Sequence, residues 1–200
     1  MSSESLAERN NDVPHILFLS NLIVSKGVLV LLDALRALKG HGYSFVCDFV
    51  GGETAEIDAE RFQRETENRC LTGIAVYHGK RYGEEKETYF KCADIFAFPS
   101  YYANECFPLV LLEAMQHGLP CISTNEGGIS GIIRNGVNGF LIDAKSGLVD
   151  EQKLANAIAT LLDNKELRFK MGKEGYRILR EQFTLPQFEK RITNILNDCL

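Results

Sequence analysis

No run in the 200-residue sequence approaches the roughly 18 apolar residues that a membrane-crossing helix needs. The amino terminus, MSSESLAERNNDVP, is polar and acidic where a secretory signal would carry basic residues followed by an apolar core. No strongly basic amphipathic helix is evident either, which leaves only peripheral association with a membrane. A cytoplasmic protein is expected. The six cysteines, Cys47, Cys70, Cys92, Cys106, Cys121 and Cys199, show no paired CxxC spacing, so neither a zinc site nor a disulfide framework is suggested. His15, His41, His78 and His117 do not cluster at ligand spacing, and no metal is expected. There is no Lys/Arg stripe, and the formal charge of −5 argues against nucleic acid as a partner. Absence of G-x-G-x-x-G after the first strand, and of an acid at the right distance beyond it, removes the nicotinamide fingerprint. A Walker lysine motif, an internal repeat and a low-complexity tract are likewise missing.

What is present is ordinary globular composition, 45% apolar and 24% charged, enough for one core and one domain over residues 14–200 behind a linker-like stretch at 1–13. HILFLS at 15–20 reads as a strand buried on both faces. A loop through Lys26 follows, and from Gly27 to Lys39 apolar residues recur at Val28, Leu31, Leu32, Leu35 and Leu38, the spacing of one helical face. Further strands are expected at 44–50, 74–78, 94–98, 119–123 and 139–142, with helices at 55–70, 84–92 and 108–117. From residue 149 onward the pattern is wholly helical, over 151–162, 165–181 and 186–200, with Asn164 and Thr184 as caps. Strands alternating with helices imply an α/β fold with a doubly wound parallel sheet, Rossmann-like, carrying extra C-terminal helices. Its ligand would lie at the carboxyl ends of the strands.

The most specific chemistry lies between Phe98 and Gly128. Glu105 and Glu113, seven residues apart in between, straddle a helix start whose unpaired N–H groups and positive dipole end attract an anion such as a diphosphate. Leu109 to Leu112 form an apolar block expected to pack on the sheet, so Glu113 behind it is either a fixed acceptor or the partner of a nearby lysine. Lys26 precedes a glycine that opens a helix, where an ammonium can neutralise phosphate oxygens. Tyr101 and Tyr102 are aromatic loop residues suited to stacking or to packing.

The run Glu105-Cys-Phe-Pro-Leu-Val-Leu-Leu-Glu113-Ala-Met resembles the Glu, seven residues, Glu signature of retaining glycosyltransferases of family 4, which have the GT-B fold. Ser20-Asn-Leu-Ile-Val-Ser-Lys-Gly27 resembles that family's donor-phosphate loop, Ala93 to Ser100 its strand into the site, and Asn125 to Ile129 with Asn135 to Gly139 the two following loops. Five blocks in order over roughly residues 15 to 185 are more specific than any one. The resemblance implies a sugar transferred from a nucleotide diphosphate sugar, such as UDP- or GDP-sugar, to a hydroxyl acceptor, with no cofactor. It implies that Lys26 and the N–H groups of Leu109 and Val110 hold the diphosphate, that Glu105, beside Cys106 and Phe107, faces the sugar, and that Glu113 accepts from the ribose hydroxyls. Lys26 and Glu105 would be the catalytic pair. Asn21 stands where many members carry an arginine, so a further cation such as Lys80 or Arg81 would have to share the load. Only the carboxyl-terminal, donor-binding half of GT-B is resembled. The acceptor-binding amino-terminal domain would come in cis or in trans, and the isolated chain would bind nucleotide weakly and catalyse little. Alternatives are a non-catalytic nucleotide-sugar-binding module and another sugar-nucleotide enzyme of similar fold, such as an epimerase.

Overall fold

Six short apolar runs pair into one all-parallel sheet. In a computed structural model, which describes residue 9, residues 11–145 and residues 148–198, these are β1 His15–Leu19, β2 Val46–Val50, β3 Ala75–Tyr77, β4 Ile95–Phe98, β5 Cys121–Thr124 and β6 Gly139–Ile142. The spatial order is β3-β2-β1-β4-β5-β6. The chain therefore winds outward from β1 in one direction, returns, and winds outward from β4 in the other. Every residue of β4 and β5 is buried, as a central strand covered on both faces requires.

The helices are α1 Val28–Gly40, α2 Ala59–Asn68, α3 Gly83–Cys92, α4 Leu109–Gln116, α5 Glu151–Asp163, α6 Lys165–Gln182 and α7 Leu185–Asp198. On one face Phe18 and Phe49 meet at 5.2 Å and Phe49 meets Phe62 of α2 at 4.9 Å. On the other, Phe90 of α3 lies 6.0 Å from Phe96. The apolar stripe anticipated for α1 is the buried one, and α5 packs along it. Asn164 caps α6 by accepting from the Leu167 N–H at 2.8 Å.

Several boundaries differ from expectation for local reasons. The helix expected from residue 55 begins at Ala59, because the Asp58 carboxylate accepts from the Arg61 N–H and fixes the cap there. The loop before Gly27 contains a 3₁₀ turn, Val24–Lys26. A small antiparallel pair, β7 Ala144–Lys145 with β8 Leu148–Val149, was not anticipated, since two-residue strands carry no periodicity. Of the 109–112 block only Leu111 is fully buried, while Leu109 at the helix start is 65% exposed.

Of the stretch read as linker-like, residues 1–8 and 10 lie outside the described residues, as do residues 199 and 200 of the helix expected over 186–200. Arg9 and Asn11 are tied to the amino-terminal end of the sheet. The Arg9 guanidinium donates to the carbonyls of Phe90, Lys91, His117 and Gly118, acceptors at the ends of α3 and α4 where the helices supply no donor. Asn11 donates to the Cys92 carbonyl and to Asp94. At the opposite end of the sequence α7 leaves Leu185, Phe188, Ile192, Ile195 and Leu196 exposed.

Candidate functional site

The sheet order places a crevice outside the carboxyl ends of β1 and β4, where the winding reverses, and an open α/β sheet binds ligand at such a point. Two loops meet there. The first leaves β1 and carries Lys26; the second leaves β4 and carries Glu105. They are locked by backbone contact, the Tyr101 N–H donating to the Ser25 carbonyl at 2.8 Å. Gly27 closes the first loop at φ 90°, and a Cβ there would stand 2.3 Å from the Pro99 carbonyl oxygen. Any side chain at 27 would push the two loops apart.

Lys26 and Glu105, 79 residues apart in sequence, are joined at 2.6 Å, with side chains 16% and 8% exposed. The buried Ser100 hydroxyl donates to the same Glu105 oxygen at 2.8 Å. The Lys26 ammonium also lies 4.4 Å from the Tyr102 ring centroid and 5.7 Å from that of Phe98, in cation–π contact with both. From the far side, the Gly128 N–H donates to the Glu105 carbonyl, and a Cβ at Gly127 would fall 1.8 Å from that oxygen. Gly127 and Gly128 thus brace the backbone of Glu105. A double glycine is visible in sequence, but its bracing partner is not.

Beyond Glu105 the chain enters α4. Pro108 occupies the cap position, no side chain caps the helix, and the exposed Leu109 opens it, so the positive end of α4 is open to an anion. Phe107 is 45% exposed, its ring 5.8 Å from Phe183. Glu113 is not free: its Oε1 accepts from Lys86 Nζ of α3 at 2.7 Å. That is the lysine pairing weighed for it, with the partner 27 residues away and unreadable from spacing.

Asn21 is exposed, and its side-chain oxygen accepts from the Gly52 N–H at 3.1 Å, tying the β1 loop to the β2 loop. The Leu22 N–H to the Gly52 carbonyl, and the Val24 N–H to Glu56 at 2.7 Å, reinforce that tie. Of the two cations considered as substitutes for charge at Asn21, Lys80 runs its stem past Gly52, 3.7 Å from where a Cβ would stand. Arg81 is turned to Glu85 at 3.7 Å. The structure therefore brings Lys26, Glu105 and the start of α4 together, sets Glu113 one turn further with Lys86, and uses Asn21 as a brace.

This combination, a doubly wound parallel sheet with a paired lysine and carboxylate at its switch point beside an uncapped helix start, defines an open α/β fold with a polar site at the carboxyl ends of its strands. The chain belongs to the family of glycosyl transferases group 1, whose sequence pattern matches residues 5–178. A D-inositol 3-phosphate glycosyltransferase from Corynebacterium glutamicum is 30% identical over 193 residues, covering 92% of this chain and 43% of that protein. The chain thus spans less than half the length of that relative. Among solved structures of similar fold, Anabaena Alr3699/HepE in complex with UDP superposes with a TM-score of 0.81 at 23% identity, over 94% of this chain and 49% of that one. The C-terminal domain of a glycosyl transferase group 1 family protein, LpcC, from Francisella tularensis gives a TM-score of 0.73 at 22% identity, over 86% of this chain and 89% of that one. Among the described residues no helix is long and apolar enough to cross a membrane.

Proposed function

We propose that this chain is the donor-binding half of a retaining glycosyltransferase of glycoconjugate or polysaccharide synthesis. It would take a nucleoside diphosphate sugar, UDP- or GDP-linked, into the crevice between the β1 and β4 loops. The observation that carries the reading is the Lys26–Glu105 pair at the switch point, 2.6 Å apart and beside the uncapped start of α4. Lys26, with the Leu109 and Val110 N–H groups, holds the diphosphate and stabilises the charge it gains as it leaves. Glu105, fixed by Ser100, faces the sugar hydroxyls, with Phe107 at the rim. Glu113 accepts from the ribose. The bond from the anomeric carbon to the diphosphate breaks, the bond to the acceptor oxygen forms on the same face, and the acceptor hydroxyl's proton passes to the departing diphosphate oxygen. No metal or cofactor has a step in this scheme.

The acceptor would be held by a second, amino-terminal domain in cis or in trans, in the cytoplasm, with any membrane contact peripheral. The exposed apolar residues Tyr82 and Leu109 near the crevice, and the exposed stripe on α7, suit contact with such a partner. A non-catalytic nucleotide-sugar-binding module is the second reading, favoured by the commitment of Asn21 to Gly52. Calorimetric titration with UDP and GDP tests the donor site. Saturable binding of one of them is expected, weakened by roughly 1–3 kcal/mol in Glu113→Ala as a charged hydrogen bond is lost. A folded sample that binds neither at millimolar concentration overturns the reading.

A further inference from the structure

Lys86 stands in the first turn of α3, where the positive end of the helix dipole disfavours a cation. Glu84 and Glu85 are its neighbours there, yet its ammonium leaves its own helix to reach Glu113 Oε1 of α4 at 2.7 Å. The lysine thus serves a contact between α3 and α4 and not its own helix start. The two side chains remain 24% and 37% exposed, so a ligand can reach both. We propose that Lys86 is a specificity-determining residue of the donor site, forming with Glu113 a couple that reads the vicinal hydroxyls of the donor's ribose. The inference rests on the reading of Glu113 as the ribose acceptor and adds the donor half of the recognition.

The chemistry is one of complementary valence. An ionised carboxylate only accepts hydrogen bonds, and an ammonium only donates, through three N–H groups. One N–H of Lys86 is spent on Oε1, leaving two for hydroxyl oxygens, while Oε2 and the remaining lone pairs of Glu113 are left for hydroxyl protons. A vicinal diol offers both protons and lone pairs. It therefore matches the couple as a whole, whereas a lone carboxylate would satisfy only its protons. The ion pair also fixes the plane of the Glu113 carboxylate before the nucleotide arrives, which lowers the ordering cost of binding.

The test compares UDP with 2′,3′-dideoxy-UDP by calorimetry on the wild-type chain, Lys86→Met, Lys86→Arg and Glu113→Gln, with the guanine pair used instead if GDP binds more tightly. Lys86→Met is expected to weaken UDP binding about tenfold and leave the dideoxy nucleotide unchanged, so that discrimination contracts. Lys86→Arg, which keeps donors and charge, is expected to retain most of it. Equal losses for both nucleotides, or no loss for either, overturn the inference, because a merely structural lysine would not distinguish a hydroxyl from its absence. If Glu113→Gln weakens UDP while Lys86→Met does not, this inference alone fails. If Glu113→Gln also leaves UDP unaffected, the ribose reading of Glu113 fails with it. Binding of neither UDP nor GDP to the folded wild-type chain overturns the donor site and this inference together.

Discussion

Two lysine–glutamate pairs have their carboxylates on the segment from Glu105 to Glu113, and they differ in everything but length. Lys26–Glu105 at 2.6 Å joins two loops, is nearly sealed from water, and has a buried hydroxyl on the same oxygen. Lys86–Glu113 at 2.7 Å joins two helices and is about a quarter to a third exposed. A buried pair gains strong attraction but is costly to half-dismantle, because the surviving charge has no water to turn to. An exposed pair gains little and loses little. Distance alone would rank them equal; burial makes the first part of the framework and leaves the second in contact with solvent.

The sharpest way to break the comparison is to remove each lysine in turn. Lys26→Met leaves the Glu105 carboxylate buried with Ser100 as its remaining hydrogen-bond donor, and a loss of about 3–5 kcal/mol in denaturant unfolding is expected. The second change Glu105→Gln, made on top of it, should restore part of that loss, which a double-mutant cycle measures. Lys86→Met should cost about 0.5 kcal/mol or less. Equal losses from the two lysines would show that burial does not separate the pairs.

Bracing of the first pair can be tested from behind. Gly127 has φ 51°, and a Cβ there would meet the Glu105 carbonyl oxygen at 1.8 Å. Gly127→Ala should therefore cost about 1–3 kcal/mol from strain at a left-handed position, and it should shift Glu105 and so weaken nucleotide binding. Gly131, four residues on, has open space around its Cβ position. Gly131→Ala is the control and should change neither quantity. If both variants behave alike, the glycine pair does not hold Glu105 in place.

These contrasts also mark what the sequence could reveal. The positions of Lys26, Glu105 and the α4 start in the chain were legible because each follows a strand and precedes a helix pattern, and local spacing carries that information; the chemistry assigned to them came from the family resemblance. The six strands were legible from their short apolar runs. What links residues across loops was not. Ser100 and Tyr102 read as the tail of a strand and as loop aromatics, although the fold turns the first onto Glu105 and the second onto Lys26. Asn21 read as a ligand-facing residue, but its nearest demand is the Gly52 N–H of a neighbouring loop. Leu109 read as core because its neighbours are apolar, yet α4 turns only Leu111 of that block fully inward. Periodicity reports which face is apolar; it does not report which partner arrives from another strand end. Lys86 gave one faint signal, a cation in the first turn of a helix, against the dipole.

The exposed pair has a counterpart at the other end of the α3–α4 seam, and it supplies the smallest expected effect. His117, just past α4, stacks on Phe90 with ring centroids 5.2 Å apart and meets Glu87 of α3 at 2.7 Å. Burial lowers its pKa below the ordinary imidazole value and outweighs Glu87, which acts the other way. Arg9, whose guanidinium reaches the His117 carbonyl, and Lys91 push in the same direction as burial. The unfolded chain therefore binds a proton here before the folded one does. Stability from this group is complete above about pH 6.5 and is lost as the pH falls below that toward the depressed folded value. In His117→Gln the slope of stability against pH between about 6.5 and 5 should be shallower than in the wild type, by well under one proton. An identical slope in wild type and His117→Gln would mean that Glu87 cancels the effect of burial, and a steeper slope in His117→Gln would mean that Glu87 holds the imidazole charged in the folded chain.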